Sequence, residues 1–179
     1  IDYPALAGKI ETDICIVGGG LAGLSAGLSL PERGRSVVVV EANKMGWGAS
    51  GRNGGFVSPG FSGGAERVLK TSGLKDARAL WDLTRDAVKL VRARIDRYAI
   101  PAQPVDSGMV GGWWRDDRAE AEVEMKFMAE NFGVELEWWP KEKLRQFLIT
   151  DRYHGGLYRN EGFHFHPLNY ARGVAKTLA

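Results

Sequence analysis

Hydrophobic positions along the chain change period several times, and each change predicts an element. Residues 13–17, Asp-Ile-Cys-Ile-Val, form a short β-branched run of the kind that makes a strand buried on both faces. The glycines Gly18, Gly19, Gly20 and Gly23 follow at once, and Leu24, Leu28 and Leu30, separated by small residues, then suit a closely packed helix. Gly34 closes that helix. Pro31 lies in its last turn, where the missing N–H should shorten or kink the end. Val37, Val38, Val39 and Val40 predict a second buried strand with Glu41 at its tip.

Further along, Val68, Leu69, Leu80, Trp81, Thr84, Val88, Val91 and Ile95 return every three or four places with charges between them, which predicts a helix over 64–99. A strand is expected over 105–114 and a charged helix from Asp116 and Asp117 to Gly133. Residues 134–138 alternate, as a strand with one wet face does, and Pro140 at a first helical position starts a short helix. One or two short strands should fill 155–165. A final helix runs from Pro167 to the end, with Leu168, Ala171, Val174, Ala175 and Leu178 on one side.

Strand, glycine turn, helix, strand and acid in about thirty residues match the βαβ unit that binds the ADP half of a dinucleotide. Gly18 permits the tight turn. Gly20 lets a pyrophosphate approach the backbone, and Gly23 lets helix and strand pack closely. N–H groups around Gly20, Leu21 and Ala22 stand at the positive end of the helix. Glu41, 23 residues beyond Gly18, would accept hydrogen bonds from the ribose hydroxyls and disfavour a 2′-phosphate.

A second glycine cluster begins five residues later: Gly46, Trp47, Gly48, Ala49, Ser50, Gly51, Arg52, Asn53, Gly54 and Gly55. Such a stretch cannot build a core. It makes a loop that brings many backbone N–H groups close to something bulky. Arg52 either contacts a pyrophosphate or orients the loop, or it makes a structural hydrogen bond to backbone carbonyls.

The runs 12–26, 39–42 and 48–55, with 153–158 and 164–170, resemble the FAD-dependent oxidoreductases of the D-amino-acid oxidase and glycine oxidase family. The form of 49–55 looks most like the branch containing gamma-glutamylputrescine oxidase. The resemblance implies an α/β fold: a Rossmann-like FAD-binding βαβ unit with part of an inserted α+β substrate domain. Residues 1–63 would be the N-terminal part of the FAD-binding domain, and 64–166 a helical segment and the start of the substrate domain. Residues 167–179 would be a crossover helix returning to the first domain. FAD is the implied cofactor, held by Gly18, Gly20, Leu21, Ala22, Gly23, Glu41 and Ala42 and by the loop of Gly48, Ala49, Ser50, Gly51, Arg52, Asn53, Gly54 and Gly55. The family oxidises the C–N bond of a small amine or amino acid, passing hydride to the flavin and giving an imine that water hydrolyses. A crossover helix should deliver a further parallel strand. The chain is therefore expected to be an N-terminal fragment, completed by a missing C-terminal half or by a second chain.

Two other functions stay open: a non-catalytic FAD- or nucleotide-binding module that serves a partner, and an NAD-dependent dehydrogenase, which would have no need of the second glycine cluster. Gly23-Leu24-Ser25-Ala26-Gly27 matches a nucleophile elbow by letter, but Ser25 falls inside the helix rather than on the turn. His164 and His166 form an i, i+2 pair without an evident third ligand, and His166 is better placed to support the turn into the last helix. The pairs Trp113-Trp114 and Trp138-Trp139 could line an amine cage, yet neighbours on a strand face opposite ways, so packing is the expectation.

Composition narrows the field. The 179 residues include 24 Lys+Arg and 22 Asp+Glu, a formal charge of +2, with no basic run, which argues against a nucleic-acid partner. With 44% hydrophobic and 26% charged residues the chain reads as a globular protein with no membrane span. Asp2, Lys9, Glu11 and Asp13 interrupt any signal-peptide core. The single cysteine, Cys15, is expected in the first strand's core and fits a reducing cytoplasm. No catalytic acid, base or metal site is assigned from these residues.

Overall fold

The computed structural model describes residues 3–179; Asp2 lies outside the described residues. In chain order the elements are β1 (Ile14–Val17), α1 (Leu21–Ser29), β2 (Val37–Val40), β3 (Phe56–Val57), α2 (Ala65–Arg97), β4 (Met109–Trp113), α3 (Arg118–Phe132), β5 (Glu137–Pro140), α4 (Lys141–Leu144), β6 (Gly155–Arg159), β7 (Phe163–His164) and α5 (Pro167–Leu178). Two compact units form. The first takes the described residues up to Phe56 with Leu90–Val105 and His164–Ala179; the second takes Val57–Lys89 and Asp106–Phe163.

In the first unit β1 and β2 pair in parallel, Ile14 opposite Val37 through Val17 opposite Val40. The start of the pair is fastened by reciprocal bonds. Ser36 Oγ accepts from the Asp13 N–H at 2.8 Å, and Asp13 Oδ2 accepts from the Ser36 N–H at 2.8 Å, which holds the Asp13 carboxyl below its ordinary range. Helix α1 lies on the Ile16 and Val39 face, since Gly23 abuts Ile16 and Gly27 abuts Val39 and Leu178. It ends at Ser29. Pro31 then opens a 3-10 turn (Pro31–Arg33) that Gly34 closes at φ 73°, the shortening that proline demands. Helix α5 buries Tyr170, Ala171, Val174 and Ala175. Its first turn is capped by His166, whose Nδ1 accepts from the Asn169 N–H at 3.3 Å.

Burial of the strands differs from expectation. Only one face of β1 is covered: Ile14 and Ile16 are half-buried, while Cys15 is exposed and Val17 is 86% exposed. A parallel pair needs a layer on each face to bury both, and among the described residues α1 supplies one. Cys15 is therefore a free surface thiol rather than a core residue.

The second unit is a three-stranded antiparallel sheet in the order β4-β6-β5, with helices. Its apolar cluster is Ala77, Trp81, Met128, Phe132 and Val134. The expected helix over 64–99 is present but broken at Gly73, whose φ of 77° and ψ of 164° lie outside helical space. Within this unit Ala77 and Trp81 are its buried residues, and Leu80 is 41% exposed instead of buried. Asp117 caps α3, Oδ1 accepting from the Glu120 N–H at 3.0 Å, and Gly133 ends it at φ 62°. The fifth strand begins at Glu137 rather than at 134, and Pro140 is its last residue, so α4 starts one position later than expected. Trp139 is sandwiched between the rings of Phe147 (5.1 Å) and Tyr158 (4.5 Å), and Trp114 packs edge-on against Tyr153. These tryptophans act as packing.

Candidate functional site

The turn between β1 and α1 is built almost wholly from backbone. Gly18, at φ 109°, carries the chain out of the strand and donates its N–H to the Val40 carbonyl at 2.7 Å. Gly19 donates to Glu41 Oε2 at 2.7 Å. Gly20 is the N-cap, extended at φ −84° and ψ −177°, and brings no side chain to the first turn. Gly23 faces the turn from one helical step above. A methyl group there would run into the Gly18 carbonyl oxygen and Ile16, so the close approach of helix to strand depends on its absence.

The motif by itself predicts a free N–H at Leu21, and the structure corrects this: the N–H is engaged. Ser50 Oγ accepts from it at 3.0 Å across 29 residues of sequence. The second glycine loop thus caps the first helix, because the helix has no capping side chain of its own. The amides of Gly20, Ala22 and Gly23 have no acceptor among the described residues. Three donors at the positive end of a helix are suited to an anion.

Glu41 stands at the end of β2 with each oxygen engaged by backbone. Oε1 accepts from the Asn43 N–H at 2.9 Å and Oε2 from Gly19. These bonds, that from Asn43 foremost, hold its carboxyl below the usual carboxylate range. Each oxygen keeps a further lone pair for a hydroxyl donor. Beside it opens a cleft of about 780 Å³, lined by Val40, Glu41, Ala42 and Trp47 on one side and by Tyr3 and Leu6 from the N-terminal segment on the other. That size lies within the range of small-molecule sites.

The loop of residues 46–55 is held on all sides. Gly46 donates to the Gly19 carbonyl at 2.8 Å, and Ala49–Gly51 make one 3-10 turn after the extended Gly48. Asn53 Nδ2 donates to the carbonyls of Ala49 (3.0 Å) and Ser50 (3.1 Å), while its Oδ1 accepts from the Gly55 N–H at 2.8 Å. The Gly55 carbonyl in turn accepts from Phe165 at 3.0 Å. Gly51 gives room for Leu168, and Gly54 for the Phe56 ring. Arg52 donates from Nε to the Trp47 carbonyl at 2.7 Å and lays its guanidinium 4.5 Å from the centre of the Trp47 ring. Of the two roles open to Arg52, the backbone bond is present. Trp47 stays 52% exposed beneath it.

The other motifs resolve into structure. Ser25 and Ser29 accept from Arg94 Nη1 and Nη2 at 2.6 Å each, and Arg94 is only 7% exposed. Tyr170 shares this guanidinium, and burial pushes its hydroxyl pKa upward. Ser25 is therefore half of a buried-charge clamp, far in kind from a nucleophile on a strained turn. Among the described residues no three His, Cys, Asp or Glu side chains group to hold a metal, and no helix is long and apolar enough to cross a membrane.

A family model described as "FAD dependent oxidoreductase" (DAO) matches residues 13–179. A probable oxidoreductase, OrdL, of Haemophilus influenzae is 37% identical over 177 residues, covering 98% of this chain and 41% of its own. The gamma-glutamylputrescine oxidoreductase of Escherichia coli is 36% identical with the same coverage, so the chain spans about two-fifths of the length of these curated relatives. The crystal structure of glycine oxidase from Geobacillus kaustophilus superposes with a TM-score of 0.72 at 21% identity, covering 93% of this chain and 44% of that one, a likeness of fold. The cofactor of the family is FAD, and the free amides, the backbone-held acid and the adjoining cleft fit its ADP half. The chain belongs to the family of FAD-dependent oxidoreductases.

Proposed function

We propose that this chain is the N-terminal part of a flavoenzyme that oxidises the C–N bond of a small amine or amino acid, with its remainder in a C-terminal portion or a second chain. The observation that carries the reading is the tie between the two glycine clusters. Ser50 on the Leu21 N–H and Gly46 on the Gly19 carbonyl hold a preorganised, nearly side-chain-free cradle next to Glu41. In this reading the amides of Gly20, Ala22 and Gly23 bind the pyrophosphate, while the Gly18 turn, its N–H on Val40, and Leu21, its N–H on Ser50, shape the cradle around it. Glu41 takes the ribose hydroxyls, with Ala42 beside it. The loop of Gly48, Ala49, Ser50, Gly51, Arg52, Asn53, Gly54 and Gly55 runs along the cofactor toward the flavin. Bound FAD supplies the hydride acceptor for the carbon next to nitrogen. The residues named here bind and orient the cofactor. The relatives' names, an oxidoreductase of gamma-glutamylputrescine among them, support an amine substrate. A cytoplasmic location belongs to the same proposal, supported by a single cysteine that stands as a free thiol. So does the division into a cofactor part at 1–63, a substrate part at 64–166 and a returning helix at 167–179.

The test is retention of flavin. The purified chain is mixed with FAD, freed of unbound cofactor and read by visible absorbance before and after acid release. A flavin band near one equivalent is expected, reduced in Arg52→Ala with little change in the melting point of the cofactor-free chain. Colourless protein after loading would overturn the assignment.

A further inference from the structure

Among the described residues Arg94 is the buried charged side chain, and nothing in the cofactor reading uses it. It lies in the last turns of α2, which belong to the first unit. Its neighbours there are paired with acids, Arg92 with Asp96 and Arg97 with Glu32 at 2.9 Å. Arg94 meets no carboxylate among the described residues. Its partners are the Ser25 hydroxyl on Nη1, the Ser29 hydroxyl on Nη2 and the Tyr170 hydroxyl. Burial raises the tyrosine pKa, so this third partner is neutral as well. A guanidinium buried without a carboxylate is costly, and exchanging a buried charge for an apolar side chain of similar volume is often neutral or stabilising. Stability alone therefore does not explain Arg94.

The helix it grips does. Helix α1 has nine residues, with no capping side chain of its own and no charge in either end turn. A helix that short is marginal by itself and takes its placement from its surroundings. Gly23 and Gly27 let it approach the strands but bring no side chain that would fix its rotation. Ser25 and Ser29 are i and i+4, one turn apart on one face. A planar guanidinium that holds one hydroxyl with each terminal nitrogen fixes both the height of α1 along its axis and its rotation, which a single bond cannot do. The charge also lies by Ser29, the last residue of the helix, where the dipole favours a cation.

We propose that Arg94 is a positioning residue for the anion-binding turn: by locking Ser25 and Ser29 it aims the N–H groups of Gly20, Ala22 and Gly23 at the other end of α1. What those amides bind rests on the cofactor reading above; the placement of the helix does not.

Three variants of the 179-residue chain test it. Arg94→Met keeps an unbranched side chain and removes the fork, and the freed serine hydroxyls can turn to carbonyls of their own helix. Arg94→Lys keeps the charge on a single nitrogen. Ser29→Ala removes one prong, leaves a better helix former, and decides the matter if Arg94→Met does not fold. Titration should show FAD bound at least about tenfold more weakly by both Arg94 variants and about threefold more weakly by Ser29→Ala. Asp117→Ala, which removes a cap in the second unit, is the control: it lowers the melting point and should leave FAD affinity unchanged. Amide exchange of the cofactor-free chain is read in parallel, and Leu21–Ser29 should exchange at least about tenfold faster in Arg94→Met. Parental FAD affinity in Ser29→Ala or Arg94→Met would overturn the proposal. So would rescue by Arg94→Lys, or an equal loss of affinity in Asp117→Ala, which would mark general destabilisation. A parent chain that binds no FAD would overturn the cofactor reading alone, and unchanged exchange over Leu21–Ser29 would then overturn this one.

Discussion

Gly23 sits where one methyl group decides whether the first turn of α1 can lie on β1. The Gly18 carbonyl and Ile16 fill the space, and neither belongs to a flexible chain end. Gly23→Ala should cost about 1–3 kcal/mol or more, read as a fall in the denaturant midpoint; an unchanged midpoint would mean that helix and strand are further apart than described. Glu41 acts through charge. Its carboxyl titrates below the ordinary range because backbone N–H groups stabilise the ionised form. A group with a lowered folded pKa adds stability above the unfolded value, about 4.3, and loses it as pH falls through the folded value. Between about pH 5 and 3 the parent chain should therefore lose melting temperature faster than Glu41→Gln. Parallel curves would show that the two backbone bonds contribute nothing to folding.

At the scale of elements, α1 is unusual in taking its cap from a loop 29 residues away. Ser50→Ala leaves the Leu21 N–H without its acceptor and should cost about 1 kcal/mol, worth roughly 2–4 °C of melting temperature in a chain of this size. Asp117→Ala on α3 removes an ordinary local cap and should cost about the same. The two differ in one respect: Ser50→Ala should also loosen residues 46–55, seen as faster amide exchange there, whereas Asp117→Ala should leave that loop unchanged. The Asp117 cap is legible in sequence because acid and helix are adjacent. So are the early end of α1 at Pro31 and the Gly133 stop. The Ser50 cap is not legible, since no periodicity links residues 21 and 50. The break at Gly73 was hidden for the opposite reason. One glycine within a continuous helical period is tolerated as often as it interrupts, and only its left-handed φ distinguishes the cases.

At the scale of the molecule, the uncovered face of β1 is the feature that needs an explanation. Val17 at 86% exposure and the free Cys15 thiol lie on a strand of wholly β-branched and sulfur-bearing residues. The curated relatives are more than twice as long as this chain. If the remainder lays further structure on that face, Cys15 in the 179-residue chain should react with a thiol reagent at close to the rate of an unfolded thiol. In a full-length relative-like protein carrying the same cysteine the rate should be at least about tenfold lower, as burial suppresses thiol chemistry. Equal rates would place the missing layer elsewhere.

Local chemistry settled much of this protein in advance. Glycine spacing, a β-branched strand on either side and an acid at the second strand's tip define a dinucleotide cradle because each constraint acts within a few residues of the next. Tertiary structure alone decided how the cradle is held: that Ser50 caps α1, that Gly46 bonds Gly19, and that Arg94 is spent on Ser25 and Ser29. These partners lie tens of residues apart, and a hydrogen bond or a charge pair depends on distance in space, which only the folded chain sets.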